Sequence, residues 1–469
     1  MKKSILLVIV VICTMVSCDF GDTNVDPNNL SEASVSLKDI LPAMQSQSMY
    51  NIGALGGRMP GILTQHFFGF DAQQVPYSTY SINESDLNNL WVTGLYVGSM
   101  KDADVLVDLA TAQEQPQYVG IAKIFLAQNL GLATQFWGDV PFSQAFDGNE
   151  FPKAVFDTQE EVYASIQRLL DEAITALSEP VPASGFVGSD DLIYGGDNAA
   201  WIRTARSLKA RYHIQLSQQD ANAASSALAA ISSGAITSVA EEPMFVFDAA
   251  VTGANPYAQF GEQRPKTLVV ANEFADLMMS KSDPRMGLYM AQDGDEWLFF
   301  AGQTSDLFWS QNESPLPIIS FTEIKFIEAE AELISGNVAE AESALQAAVE
   351  ASMDQLGVSD AESQDYIDTY GNFGTASTFE QRLERIIDEK YVALYSQAEP
   401  EIWSDFRRTG YPALTARAGG SNGNNPSGII PERFIYPIDE RVTNTDNLNT
   451  AIERQGGGLM DDNLWAFPN

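Results

Sequence analysis

Apolar positions recur along most of this chain at the spacing of helices that bury one face. Val162, Ile166, Leu169, Leu170, Ala173, Ile174 and Leu177 form one stripe on a 3.6-residue period. Thr158-x-x-Glu161 opens that helix as a capping box, and Pro180 lies just beyond its end. Leu383, Ile386, Ile387, Tyr391, Leu394 and Tyr395 make a second stripe behind Ser377-x-x-Glu380. Ile324, Ile327, Ala331 and Ile334 make a third, stopped by Gly336-Asn337, and the pattern resumes at once through Leu345, Ala348 and Val349. The predicted helices come in pairs: 118–136 with 159–178, 201–217 with 219–233, 322–335 with 338–356, and 379–397 with 400–408. The tight turn and Ala-rich faces of the pair at 322–356 suit a tetratricopeptide-like unit. The fold class expected is mainly α, with about four such pairs supporting a loop-rich, irregular half. Insertions at 51–85, 137–157, 180–200, 235–320 and 409–450 interrupt the period and carry most of the Gly, Pro, Asn and aromatic residues.

Composition narrows what this scaffold does. Of 469 residues 45% are hydrophobic and 19% charged, which supplies a sizeable core. Lys plus Arg number 26 against 63 Asp plus Glu, a formal net charge of −37 that repels phosphate backbones and argues against nucleic acid. Two histidines, His66 and His213, and two cysteines, Cys13 and Cys18, do not furnish a Cys/His zinc site or a disulfide framework.

Both cysteines fall in the N-terminal segment. Met1-Lys2-Lys3 and the apolar run from Ile5 to Val16 read as a signal peptide, since the run is too short to span a bilayer. Met15-Val16-Ser17-Cys18 resembles a bacterial lipobox, with Cys18 as the lipidated first residue of the mature chain. The expected organisation is a signal peptide at 1–17, a lipidated tether at 18–30, and one domain at 31–469. Cleavage removes Lys2 and Lys3 and leaves the remainder more acidic still.

Catalytic patterns are absent: the chain has no Gly-x-Ser-x-Gly elbow, His-Glu-x-x-His, P-loop or dinucleotide fingerprint. His213 falls within a helical stretch and reads as packed; His66, beside Phe67-Phe68, is open to a ligand role. Asp293-Gly-Asp295-Glu296 lacks the twelve-residue calcium-loop spacing and reads as a solvated turn. A glycosidase carboxylate pair is unspecific among so many acids. The expectation is a binding protein with no catalytic residue, no metal and no cofactor. Aromatic residues in the insertions are the more informative signal, because flat rings stack on the C–H faces of sugars while amides bond the hydroxyls. Phe70, Tyr77, Tyr257, Trp297 and Trp309 are the ligand-binding candidates, whereas Trp91, Trp137, Trp201 and Trp403 at helix ends read as core.

Five segments, in order behind the lipobox, resemble the SusD/RagB family of outer-membrane lipoproteins of Bacteroidetes. These are Asn24-Val25-Asp26-Pro27-Asn28; Gly120-Ile121-Ala122-Lys123 leading to Trp137-Gly138-Asp139-Val140-Pro141-Phe142; Trp201-Ile202-Arg203 with Ser207-Leu208-Lys209-Ala210-Arg211; Phe406-Arg407-Arg408-Thr409-Gly410-Tyr411-Pro412; and Pro431-Glu432-Arg433 with Tyr436-Pro437. Thr204 and His213 depart from the family pattern. The resemblance implies four tetratricopeptide-like pairs, a lipid-anchored location on the outer face of the outer membrane, and capture of oligosaccharides for a SusC-like TonB-dependent transporter. Peptide capture on the same scaffold is the alternative, and a secreted glycosidase a distant third. The family motifs are structural, so ligand residues do not carry over from them.

Overall fold

The computed structural model describes residues 35–182 and 186–468. The signal peptide, Cys18, the tether and the Asn24–Asn28 motif lie outside the described residues. Helices dominate, and the four expected pairs are present. Pro116–Trp137 packs on Gln159–Ser178, Asn198–Ile214 on Ala223–Ser232, Phe321–Ile334 on Val338–Leu356, and Phe379–Ala393 meets Glu399–Thr409.

Local chemistry explains their ends. Thr158 accepts the backbone N–H of Glu161 while Glu161 returns to Thr158, closing the expected capping box. The box expected at Ser377 and Glu380 is shifted by one residue. Thr378 is the cap and Gln381 its partner, because extended Thr378 points its hydroxyl at the N–H of Gln381. Gly336, at φ +84°, turns the third pair in a left-handed conformation that glycine adopts without penalty.

The insertions and the N-terminal stretch before the first expected pair hold more regular structure than the sequence pattern suggests. Leu37–Gly53 and Leu55–Leu63 form a bent helical pair, broken at Ala54. Leu90–Ser99 winds as a π-helix, kinked at Gly98, ahead of the helix Met100–Ala112. Helices Pro256–Gln263, Asn272–Lys281 and Thr445–Arg454 lie in segments expected to be loops. Strands β1 (Phe67–Gly69), β2 (Met244–Phe245), β3 (Leu268–Val270), β4 (Ala291–Asp293), β5 (Glu296–Leu298) and β6 (Leu316–Pro317) make two small antiparallel sheets, ordered β1-β3-β5-β4 and β2-β6. Their register pairs Phe67 with Val270, and Val270 with Trp297.

The family-like motifs work as internal ties. All four helix-end tryptophans are buried, and their indole N–H groups donate to Glu440, the Ile435 carbonyl, Asp191 and the Pro431 carbonyl. Arg407 lies 3.8 Å over the Trp403 ring and donates to the carbonyls of Gln135 and Glu432. Arg433 donates to the carbonyl of Trp137, and Arg211 forks onto Glu323. Buried charge is tolerated here because each guanidinium has several acceptors.

One buried carboxyl is a pH-dependent liability. Burial pushes Glu242 up to about 7 from 4.5, although its Oε1 accepts the N–H of Phe321 at 2.7 Å. A folded-state value above the unfolded one means that this group favours folding when protonated. That contribution is complete below pH 4.5 and is lost as pH rises toward about 7. Glu242→Gln is expected to remove the slope and to raise stability in mildly alkaline buffer by up to about 3 kcal/mol. Urea midpoints taken on both sides of this window test it, and an unchanged difference between variant and parent at the two ends would disprove it.

Candidate functional site

Two adjoining cavities open where the Leu37–Gly53 helix meets the irregular half. One, of about 630 Å³, is walled by Tyr50, Arg58, Tyr77, Phe260 and Arg264, with the amides of Gln47, Gln73, Gln74 and Asn89 between them. The other, of about 770 Å³, is walled by Phe245, Val246, Phe247, Asp248 and Glu313. Gln47 and Tyr50 line both, so the two form a continuous trough with Tyr50, 44% exposed, at its waist.

Each wall has a structural origin. Gln47, Tyr50, Ala54 and Arg58 recur along one side of the bent helical pair. The π-helix brings Leu90, Thr93 and Gly94 to the opposite side; such widened turns are frequent at functional sites. A tight turn after β1 delivers Gln73, Gln74 and Tyr77. There Ser78 Oγ accepts the N–H of Gly69 at 2.7 Å, and a Cβ on Gly69 would fall 1.9 Å from the Gln74 carbonyl oxygen, so only glycine fits. Tyr77 is half-buried and donates to Asp86 Oδ1 at 2.8 Å; burial, followed by that carboxylate, pushes its phenol well above the usual range and keeps it neutral. Arg58 lies 4.3 Å over the Phe260 ring.

The five aromatic residues singled out as ligand-binding candidates divide. Tyr77 lines the trough. Phe70 is 45% exposed beside β1, and Trp297 is half-buried on β5, two strands away in the same sheet. Tyr257 and Trp309 are corrected to core: they are 1% and 2% exposed and offer no open face. Tyr257 packs against Phe67 beneath the trough, its hydroxyl filling the space that a side chain at Gly57 would need, and Trp309 meets Phe308 edge to face. The trough residues that sequence reasoning missed are Tyr50, Arg58 and Arg264. The signal for the first two was the i, i+4, i+8 run of Tyr50, Ala54 and Arg58, hidden by the glycines around it.

His66 is closed off from the trough surface. It is fully buried, stacked on Tyr391 at 4.0 Å, and its Nδ1 lies 2.9 and 3.0 Å from the two carboxylate oxygens of Glu399. Burial lowers His213, which keeps it neutral in its helix. In the turn at Asp293-Gly-Asp295-Glu296, Lys266 Nζ lies 2.8 Å from Asp293 and 3.5 Å from Glu296, taking the place a cation would occupy. Among the described residues no group of three or more His, Cys, Asp or Glu is placed to hold a metal.

Residues 27–437 match the SusD-like family described as starch-binding and associating with the outer membrane, and the chain belongs to that family. It is accordingly a nutrient-binding protein associated with the outer membrane. Among solved structures, a SusD homolog from Bacteroides uniformis has a TM-score of 0.78 at 23% identity, over 92% of this chain and 99% of that one. A chitin-binding protein has a TM-score of 0.76 at 22% identity, over 92% of this chain and all of the other. A SusD/RagB family protein from Bacteroides thetaiotaomicron gives 0.73 at 21%, over 93% of this chain and all of the other. At these identities the likeness shows the fold. No curated protein sequence matches the chain. Among the described residues no helix is long and apolar enough to cross a membrane.

Proposed function

We propose that residues 31–469 form one domain that captures oligosaccharides in the Tyr50–Tyr77–Phe260 trough and passes them to a SusC-like TonB-dependent transporter. In this reading Cys18 carries the lipid that holds the protein on the outer face of the outer membrane, and capture involves binding without bond cleavage. The observation that carries it is the composition of the trough: aromatic rings spaced between amide side chains, in a cavity large enough for more than one sugar unit. Tyr77 is the wall platform, and Phe70 and Trp297 offer further rings on the neighbouring sheet. The resemblance of the fold to a chitin-binding protein and the family's starch-binding description set the first ligands to try.

Titration calorimetry of the full chain with malto-oligosaccharides, chito-oligosaccharides and peptides of similar length tests this. An oligosaccharide is expected to bind, and Tyr77→Ala to weaken it by about tenfold, the value of a lost stacking ring with its packing. Binding of peptides alone overturns the saccharide reading in favour of the peptide one. Release of shorter sugars during incubation would establish the glycosidase alternative.

A further inference from the structure

The charge distribution of the trough runs against that of the molecule. The chain carries 63 acidic residues, yet among the described residues no carboxylate lines the Tyr77 cavity, and two arginines do. Neither has an ion-pair partner among the described residues. The Nε of Arg58 is buried there with no hydrogen-bond partner, and so is the Oε1 of Gln74 in the same wall. Asp86, one step behind the wall, is occupied by the Tyr77 hydroxyl and the N–H of Asn83. Burial lowers the Arg58 guanidinium, Arg264 adds repulsion from the same side, and only tyrosines oppose them. Elsewhere a buried guanidinium has either a carboxylate, as Arg211 has Glu323, Arg285 Asp283 and Arg408 Glu330, or main-chain carbonyls, as Arg407 and Arg433 have. A cation without a carboxylate partner, lining a cavity beside a second cation, is costly unless an anion arrives from outside.

We propose that the arginine end of the trough seats an oxyanion on a saccharide ligand, either a uronate carboxylate or a sulfate ester. The inference rests on the oligosaccharide reading above. Arg58, with one face covered by Phe260, supplies the short charged hydrogen bonds, for which the guanidinium fork suits both anions. Exposed Arg264 supplies attraction from the rim. The far chamber, with Asp248 and Glu313, repels the same group, so the anionic unit is held at one end.

The experiment compares four probes on the full chain by calorimetry at low salt: tetragalacturonate, its methyl ester, a sulfated tetrasaccharide, and a glutamate-rich peptide. The free acid or the sulfated sugar is expected to bind at least about tenfold tighter than the neutral ester, and to lose that advantage as salt is added. The tighter of the two identifies the anion. Arg58→Met is expected to abolish the preference; Arg264→Met, at an exposed position that folding does not need, to reduce it by about threefold. Equal affinity for acid and ester, or a preference that survives both substitutions, overturns the inference while leaving oligosaccharide capture intact. Tighter binding of the peptide than of any sugar overturns the saccharide assignment itself.

Discussion

Arg408→Met is expected to cost about 3 to 5 kcal/mol of folding stability, the usual price of leaving buried carboxylates without their cation. Arg408 is buried and spans two carboxylates: both oxygens of Glu330 and, at 3.1 and 2.6 Å, Asp405 Oδ1. Lys390 holds the other Asp405 oxygen at 2.7 Å. Burial alone would raise the Asp405 carboxyl, but Lys390 and Arg408 outweigh it and hold the group below its ordinary 3.8. Such a depressed carboxyl stabilises the fold above pH 3.8, and the gain disappears as acid titrates it. The deficit of Arg408→Met is therefore expected in full near neutrality and to narrow in acid. Adding Glu330→Leu removes one stranded charge and should recover part of the loss. Urea unfolding measures both; a deficit under about 1 kcal/mol at neutral pH, or no recovery in the double variant, would count against this account.

Glu399→Ala is expected to cost about 3 kcal/mol or more, with the damage centred on β1. The Glu399 carboxylate takes the Nδ1 of His66 on both oxygens and the N–H of Ser396 at 2.8 Å. His66 immediately precedes Phe67, so this buried contact fastens the first strand of the larger sheet to the start of the Glu399–Thr409 helix in the fourth pair. Without it the imidazole and an amide lose an acceptor in a site that water does not reach. Hydrogen exchange should accelerate at Phe67, Phe68 and Gly69, and ligand affinity should fall although no trough residue is altered. Glu399→Gln, which keeps an acceptor, should lose less. Uniform protection across β1 in Glu399→Ala would show that the sheet does not depend on this tie.

The four helical pairs were legible because amphipathic stripes long enough to repeat several turns have few other interpretations. The bent pair at 37–63 was not. Gly53, Gly56, Gly57, Gly61 and Pro60 read as helix breakers, yet in the fold they are points of close approach; a Cβ on Gly61 would fall 2.6 Å from the Phe67 ring. Aromatic residues signalled the irregular half correctly as a place rich in rings, but sequence does not say which way a ring points. Tyr257 and Trp309 turned inward to anchor their segments, while Tyr77 faced the trough. Net charge was the least local signal of all. A value of −37 says nothing of two arginines that line the trough without a carboxylate partner among the described residues, which become visible only once the acids have been assigned to theirs.

The π-helix at Leu90–Ser99 bears on how the width of such a trough is set. Its hydrogen bonds reach one residue further than those of an α-helix. Here the wide turn forms part of the wall, through Leu90, Thr93 and Gly94, and a kink at Gly98, where the backbone is non-helical, separates it from the regular helix Met100–Ala112. Buried Asn51 donates to the Gly94 carbonyl, and the Ser99 hydroxyl donates to Asn129 of the Pro116–Trp137 helix. The width of the opening is thereby tied to the first helical pair, and a residue lost or gained in this stretch is felt in the frame as well as in the wall.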